Sequence, residues 1–218
     1  MPAFARPRWL ALALAAAALA APHIPLAQEE GQPSPAAGIA APAPAEPAKP
    51  EPNPVVLVKT AMGDIKIRLL RDKAPLTVAN FLAYVDDRFY DGTIFDRVVD
   101  SRLIQGGAYN PDFTKKQTKP PIKNEAENGL SNKRGTIAMA RTNIVDSATS
   151  QFFINVVDNP YYDHRSPREF GYAVFGQVIE GMDVVDKIAA VKTGPRGPLP
   201  ADCPLQPIGV VSVRRAEG

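Results

Sequence analysis

The sequence predicts a mainly β fold, a closed antiparallel barrel accompanied by two helices, and two observations and one physical argument lead there. Short apolar-rich runs recur from Val55 onward, separated by Gly, Asn and Asp turns. Only two stretches repeat at helical spacing, and they lie far apart in the chain. Closing such a sheet removes the exposed strand edges that would otherwise pair with other chains. Taken in order, VVLVKT from Val55, the turn AMG and then DIKIRLL form a hairpin, because Ile65, Ile67 and Leu69 alternate with polar neighbours. Pro75, well suited to a first turn, opens a helix whose Val78, Phe81, Leu82 and Val85 share a face. Strands are expected at Thr93 to Val99, Leu103 to Gln105, Thr136 to Ala140, Gln151 to Val157 and Tyr172 to Val178. A second helix fits Met182 to Val191, with Val184, Ile188 and Val191 on one face and Gly194 and Pro195 ending it, and Ile208 to Val213 supplies the last strand.

One such domain is what 218 residues of 45% hydrophobic and 22% charged composition support, since the stretch before Val55 has no composition suited to packing. Met1 to Ala27 carries Arg6 and Arg8 followed by an apolar run from Trp9 to Ala21, the order of a secretory leader, and the run is too short to span a bilayer comfortably. Cleavage fits after Ala20 or after Ala27. Residues 28–54, rich in Pro and Ala, read as a disordered, semi-extended linker to the domain at 55–218. The formal charge of +2 falls to zero when Arg6 and Arg8 leave with the leader, so nothing recommends nucleic acid as a partner. Cys203 is the only cysteine; it excludes an intrachain disulfide and reads as a partly buried, inert residue.

Four blocks carry the functional signal: FDRVVDSRLIQGG from Phe95 to Gly107, PIKNEAENGL from Pro121 to Leu130, GTIAMARTNIVDSATSQFFIN from Gly135 to Asn155, and GYAVFG from Gly171 to Gly176. Their order and spacing resemble those of the cyclophilins, which are peptidyl-prolyl cis/trans isomerases. The resemblance covers nearly everything from Val55 to the C-terminus. It implies an eight-stranded barrel with a helix at each end, an enzyme without a cofactor, and proline-containing unfolded or extended polypeptides as partners. With the leader it points to an exported, periplasmic protein without stable membrane insertion after leader removal, and a monomer is the default.

A peptide bond before proline rotates across a barrier of roughly 18 to 20 kcal/mol and takes tens to hundreds of seconds unaided. Millisecond turnover needs a gain of about 10⁴ to 10⁵, or roughly 5 to 7 kcal/mol of transition-state preference, and no nucleophile. A donor aimed at the twisting prolyl nitrogen in a dry pocket is sufficient. By the resemblance, Arg97 is that donor and Gln105 contacts substrate backbone and orients it. Phe153 is the pocket floor, with Leu103 where Met is usual; Ala140 and Arg141 lie on the strand that pairs with substrate, Gln151 alongside. Tyr162 and Tyr172 rim the pocket, and Tyr161 stands where cyclosporin-sensitive members carry Trp, which implies weak inhibition by that drug. Taken singly, an Arg here reads as a surface charge and a Phe as core, so the motif carries these assignments.

Arg102 stands where a pocket-wall Phe is usual, and Asp100 and Ser101 replace a Pro-Gly pair, which weakens the apolar wall. A rival reading follows: a proline-binding chaperone or scaffold with reduced catalysis. Other chemistries lack their residues. His23, His164 and one cysteine make no zinc cluster or Cys/His pair, and GxSxG, P-loop and dinucleotide glycine patterns do not occur. Gly106 and Gly107 read as strand-end flexibility, the lysines from Lys115 to Lys123 as a solvated loop, and Asp146, Asp158 and Asp163 as turn residues.

Overall fold

The computed structural model describes residues 53–99 and 101–216. The leader at Met1 to Ala27, the linker up to residue 52 and Asp100 lie outside the described residues.

The alternating runs become β1 (Val55–Thr60) and β2 (Gly63–Leu69), paired as an antiparallel hairpin. Helix α1 (Pro75–Asp86) follows and buries Val78, Phe81, Leu82 and Val85, the face its periodicity specifies. Its N-terminus has no local side-chain cap. Glu125, from the distant PIKNEAENGL block, takes that role: its Oε1 accepts from the Leu76 N–H at 3.1 Å and its Oε2 from the Thr77 N–H at 2.7 Å. Then come β3 (Phe95–Val99), β4 (Leu103–Gly106), β5 (Thr136–Met139), β6 (Phe152–Asn155) and β7 (Val174–Glu180). Helix α2 (Met182–Ala189) ends two residues before the expected Val191 and buries Val184, Val185, Ile188 and Ala189.

A short hairpin of β8 (Thr193–Arg196) and β9 (Leu199–Pro204) precedes the last strand, β10 (Val210–Ala216). The sequence assigns no strand between the second helix and Ile208, so this hairpin is an addition to the expected elements. Its prolines are tolerated because the pair forms no ladder with the main sheet, where every strand but the edges must donate on both sides. Cys203 lies in it at 1% exposure, and burial pushes its thiol pKa up, which keeps it inert.

Eight strands make the main antiparallel sheet, in the order β10-β1-β2-β7-β5-β6-β4-β3. The eight strands and two helices agree with expectation; the closed barrel does not. Among the described residues no ladder joins the edge strands β10 and β3; the runs leading into them meet at an isolated bridge between Ile94 and Gly209, flanked by backbone hydrogen bonds from the Phe95 N–H to the Ile208 carbonyl at 2.9 Å and from the Val210 N–H to the Thr93 carbonyl at 2.7 Å. Beside these contacts β9 packs against β3.

The inner face carries the main core, where Phe81 meets Tyr90, Phe152 and Phe175 with ring centroids 5.2, 5.7 and 5.2 Å away. Gly106 and Gly107 are corrected from flexible strand ends to tight contacts. A Cβ on Gly106 would lie 2.9 Å from the Ile94 carbonyl oxygen, and Gly107, at φ +96°, packs against Tyr90 and the Ser150 carbonyl.

Candidate active site

Because successive strand residues face opposite ways, the strands that build the core also build an outer face. Phe152 and Ile154 of β6 join the main core while Phe153 joins a second cluster with Leu103, Ala138, Ala140 and Val174. Register then aligns one row across the sheet: Arg97 opposes Gln105, Gln105 opposes Phe153, and Phe153 opposes Ala138.

That row opens into a cavity of about 120 Å³ lined by Arg97, Leu103, Gln105, Ala140, Arg141, Gln151, Phe153, Tyr162 and Tyr172. The volume is well below the roughly 300 to 1,000 Å³ of ordinary small-molecule sites and has room for one small ring. A hollow of about 520 Å³ between the β1–β2 turn and the segment before β10 contains none of the candidate site residues.

Its floor is aromatic. Phe153, 2% exposed, stands edge-on to Tyr162 at 5.8 Å and to Tyr172 at 5.6 Å between ring centroids, and the two tyrosines are 5.2 Å apart. Arg97, half exposed, lends its Nε to the Asp202 carboxylate of β9 at 3.4 Å, while the guanidinium's other donors sit on Nη1 and Nη2. The Arg141 guanidinium lies 4.8 Å from the Tyr172 centroid and donates to the Gly171 and Thr142 carbonyls, so its charge steadies the rim. The Ala140 N–H is bonded to the Gln151 carbonyl at 3.0 Å, which fixes the strand end beside the cavity.

Tyr161 and Arg102 are placed elsewhere. Tyr161 is 74% exposed and outside the lining, with the Arg165 guanidinium 5.0 Å from its ring centroid. Arg102 is exposed and also outside the lining, so its stem forms no wall; its backbone carbonyl accepts from the Val156 N–H at 2.8 Å and from Asn159 Nδ2 at 3.1 Å.

With this geometry in view, the profile of the family "cyclophilin type peptidyl-prolyl cis-trans isomerase/CLD" matches residues 55–215. The chain belongs to the cyclophilins. It is 53% identical to peptidyl-prolyl cis-trans isomerase A of Dickeya dadantii over 159 residues, covering 73% of this chain and 83% of that protein. To peptidyl-prolyl cis-trans isomerase B of Escherichia coli it is 51% identical over 165 residues, covering 75% of this chain and all of that protein. Among solved structures, a Cryptosporidium parvum cyclophilin determined in the presence of the dipeptide Ala-Pro is similar with a TM-score of 0.63 at 25% identity, covering 75% of this chain and 99% of that one. This cyclophilin is therefore a peptidyl-prolyl cis-trans isomerase.

Three supports of the site escape the sequence reading. Asn132, Asn155 and Asn159 form a buried amide network: Asn155 Nδ2 donates to Asn132 Oδ1 at 3.2 Å, and Asn159 Nδ2 to Asn155 Oδ1 at 2.8 Å. Asn132 Nδ2 then holds the Tyr162 carbonyl at 3.0 Å and so positions the rim. Asp202 reaches Arg97 from the unforeseen hairpin. Asp96 sits between motif residues at a register shift in β3. Here a signal exists: Phe95 and Val98 are both apolar and three apart, which strict alternation cannot bury on one face without a bulge.

Proposed function

We propose that this isomerase assists the folding of exported proteins in the periplasm, turning over X-Pro bonds in unfolded or extended segments. The leader pattern at 1–27 and the Pro/Ala linker at 28–54 support the location, and the linker separates the catalytic domain from the leader. The enzyme works as a monomer, without nucleic acid, cofactor or lasting membrane insertion. Intact mass of the chain recovered from an envelope fraction tests export: a species beginning after residue 20 or 27 supports it, and a full-length cytoplasmic product contradicts it.

The observation that carries the site assignment is the alignment of Arg97, Gln105 and Phe153 across three neighbouring strands at one cavity. In this reading the proline ring sits on Phe153 and Leu103 between Tyr162 and Tyr172. The Arg97 guanidinium donates to the prolyl nitrogen as amide resonance is lost, and Gln105 and Gln151 hold the peptide's main chain beside Ala140 and Arg141. Donation from a guanidinium N–H needs no proton transfer. The scaffold reading is distinguished by exchange spectroscopy on a short Ala-Pro peptide with catalytic amounts of the protein. Accelerated cis/trans exchange supports turnover, and binding without acceleration supports the scaffold.

A further inference from the structure

We propose that Asp96 is a positioning residue of the isomerase site, its carboxyl group setting which end of the Gln151 side-chain amide faces the bound peptide. The proposal rests on the cavity at Phe153 being the peptide site.

Strict alternation along β3 would send Asp96 and Arg97 to opposite faces. The register shift between Phe95 and Arg97 instead tucks Asp96 into the sheet behind the cavity, at 3% exposure. There its Oδ2 accepts from Gln151 Nε2 at 3.3 Å. Its Oδ1, also buried, has no hydrogen-bond partner among the described residues. A buried carboxyl oxygen left without a partner is costly, and it marks a group kept for something other than stability.

Gln151 is the only cavity residue that Asp96 touches by a hydrogen bond among the described residues. Its backbone carbonyl is fixed by the Ala140 N–H, so the freedom left to it is the rotation of its side chain. That side chain ends in a donor and an acceptor about equal in size. An ionised Asp96 only accepts, so it takes Nε2 and leaves Oε1 toward the cavity, ready for a peptide N–H. A protonated Asp96 carries an O–H, which can donate to Oε1 and turn Nε2 to the cavity, presenting a donor instead. One proton therefore reverses the polarity of the wall beside Arg97.

The surroundings place this change in the neutral range. Burial raises the Asp96 pKa to about 7, against the opposing influence of its own backbone N–H, Gln151, Arg97 and Lys115. Arg97 neighbours it on β3, and Lys115 is exposed on the loop after β4. From the hairpin, the buried Cys203 thiol is electrostatically coupled to it, with Arg196 acting on that thiol and Asp202 engaged with Arg97.

The test follows the Asp96 carboxyl and Gln151 side-chain amide resonances of the full chain from about pH 5 to 9, and kcat/KM on an X-Pro peptide over the same range. The expected result is a Gln151 amide that moves with the Asp96 midpoint, with kcat/KM about fivefold lower below it, the worth of one hydrogen bond. In Asp96→Asn the profile becomes flat. A Gln151 amide indifferent to the Asp96 titration overturns the proposal, as does a pH profile that Asp96→Asn leaves unchanged. The resonances of the unsubstituted chain decide the matter without substrate, even where Asp96→Asn does not fold. A failure of the cavity as peptide site is read separately, as an X-Pro peptide that leaves the Phe153 and Gln151 resonances in place.

Discussion

The two faces of the eight-stranded sheet are built from the same strands and even from adjacent residues, yet they do different work. On the inner face Phe152 is enclosed by Phe81, Tyr90 and Phe95, rings on which α1 and neighbouring strands close completely. On the outer face Phe153 has two tyrosines beside it and a cavity above it. Both phenylalanines are buried, so burial alone does not tell core from site. What separates them is whether the surrounding residues fill the space, and the outer cluster leaves room for one more ring.

Exchanging each phenylalanine for alanine tests that contrast most severely. Phe152→Ala opens a void that nothing fills and is expected to cost about 3 to 5 kcal/mol in urea unfolding. Phe153→Ala enlarges a cavity already open, so it costs less stability but removes most of kcat/KM on a proline peptide. Equal stability losses, or an active Phe153→Ala, break the contrast.

Asp96 lies between the faces and sharpens it through pH. Its folded pKa, about 7, stands above the ordinary 3.8, so the folded state holds a proton that the unfolded chain releases. Its contribution to stability is thus fully present below about pH 4 and lost as pH rises toward 7. At 1.36 kcal/mol per unit this is on the order of 4 kcal/mol. Asp96→Asn should accordingly raise Tm relative to the parent more at pH 8 than at pH 4; a constant difference contradicts the buried charge. A smaller effect is expected at the rim. Asp202→Asn keeps a residue type tolerant of the left-handed backbone at φ 56° but removes the charge opposite Arg97. Exposed pairs contribute about 0.2 to 1 kcal/mol, so kcat/KM should fall no more than about fivefold and Tm by no more than about 4 °C.

Much of this was legible beforehand because alternation and motif agree. Ile65, Ile67, Leu69, Phe81 and Val85 declare their faces by spacing, and Arg97, Gln105 and Phe153 by the blocks that hold them. The β8–β9 hairpin was not, because a Pro/Gly-rich run with no apolar alternation carries no strand signal. The open edge was not either, since closure depends on how far the run before β3 pairs with the run before β10, a contact between distant segments. Tyr161 and Arg102 illustrate a further gap: a position inside a motif fixes the backbone, while the direction of an exposed side chain depends on neighbours such as Arg165.

The Arg97 guanidinium on the outer face is proposed to drive rotation of the prolyl bond. Exchange spectroscopy on an Ala-Pro peptide, with the protein and Arg97→Ala compared at equal concentration and equal Tm, tests it directly. Loss of one aimed donor predicts a drop of about 10² to 10³ in turnover with the peptide still bound. Turnover by folded Arg97→Ala within a few-fold of the parent would contradict that role.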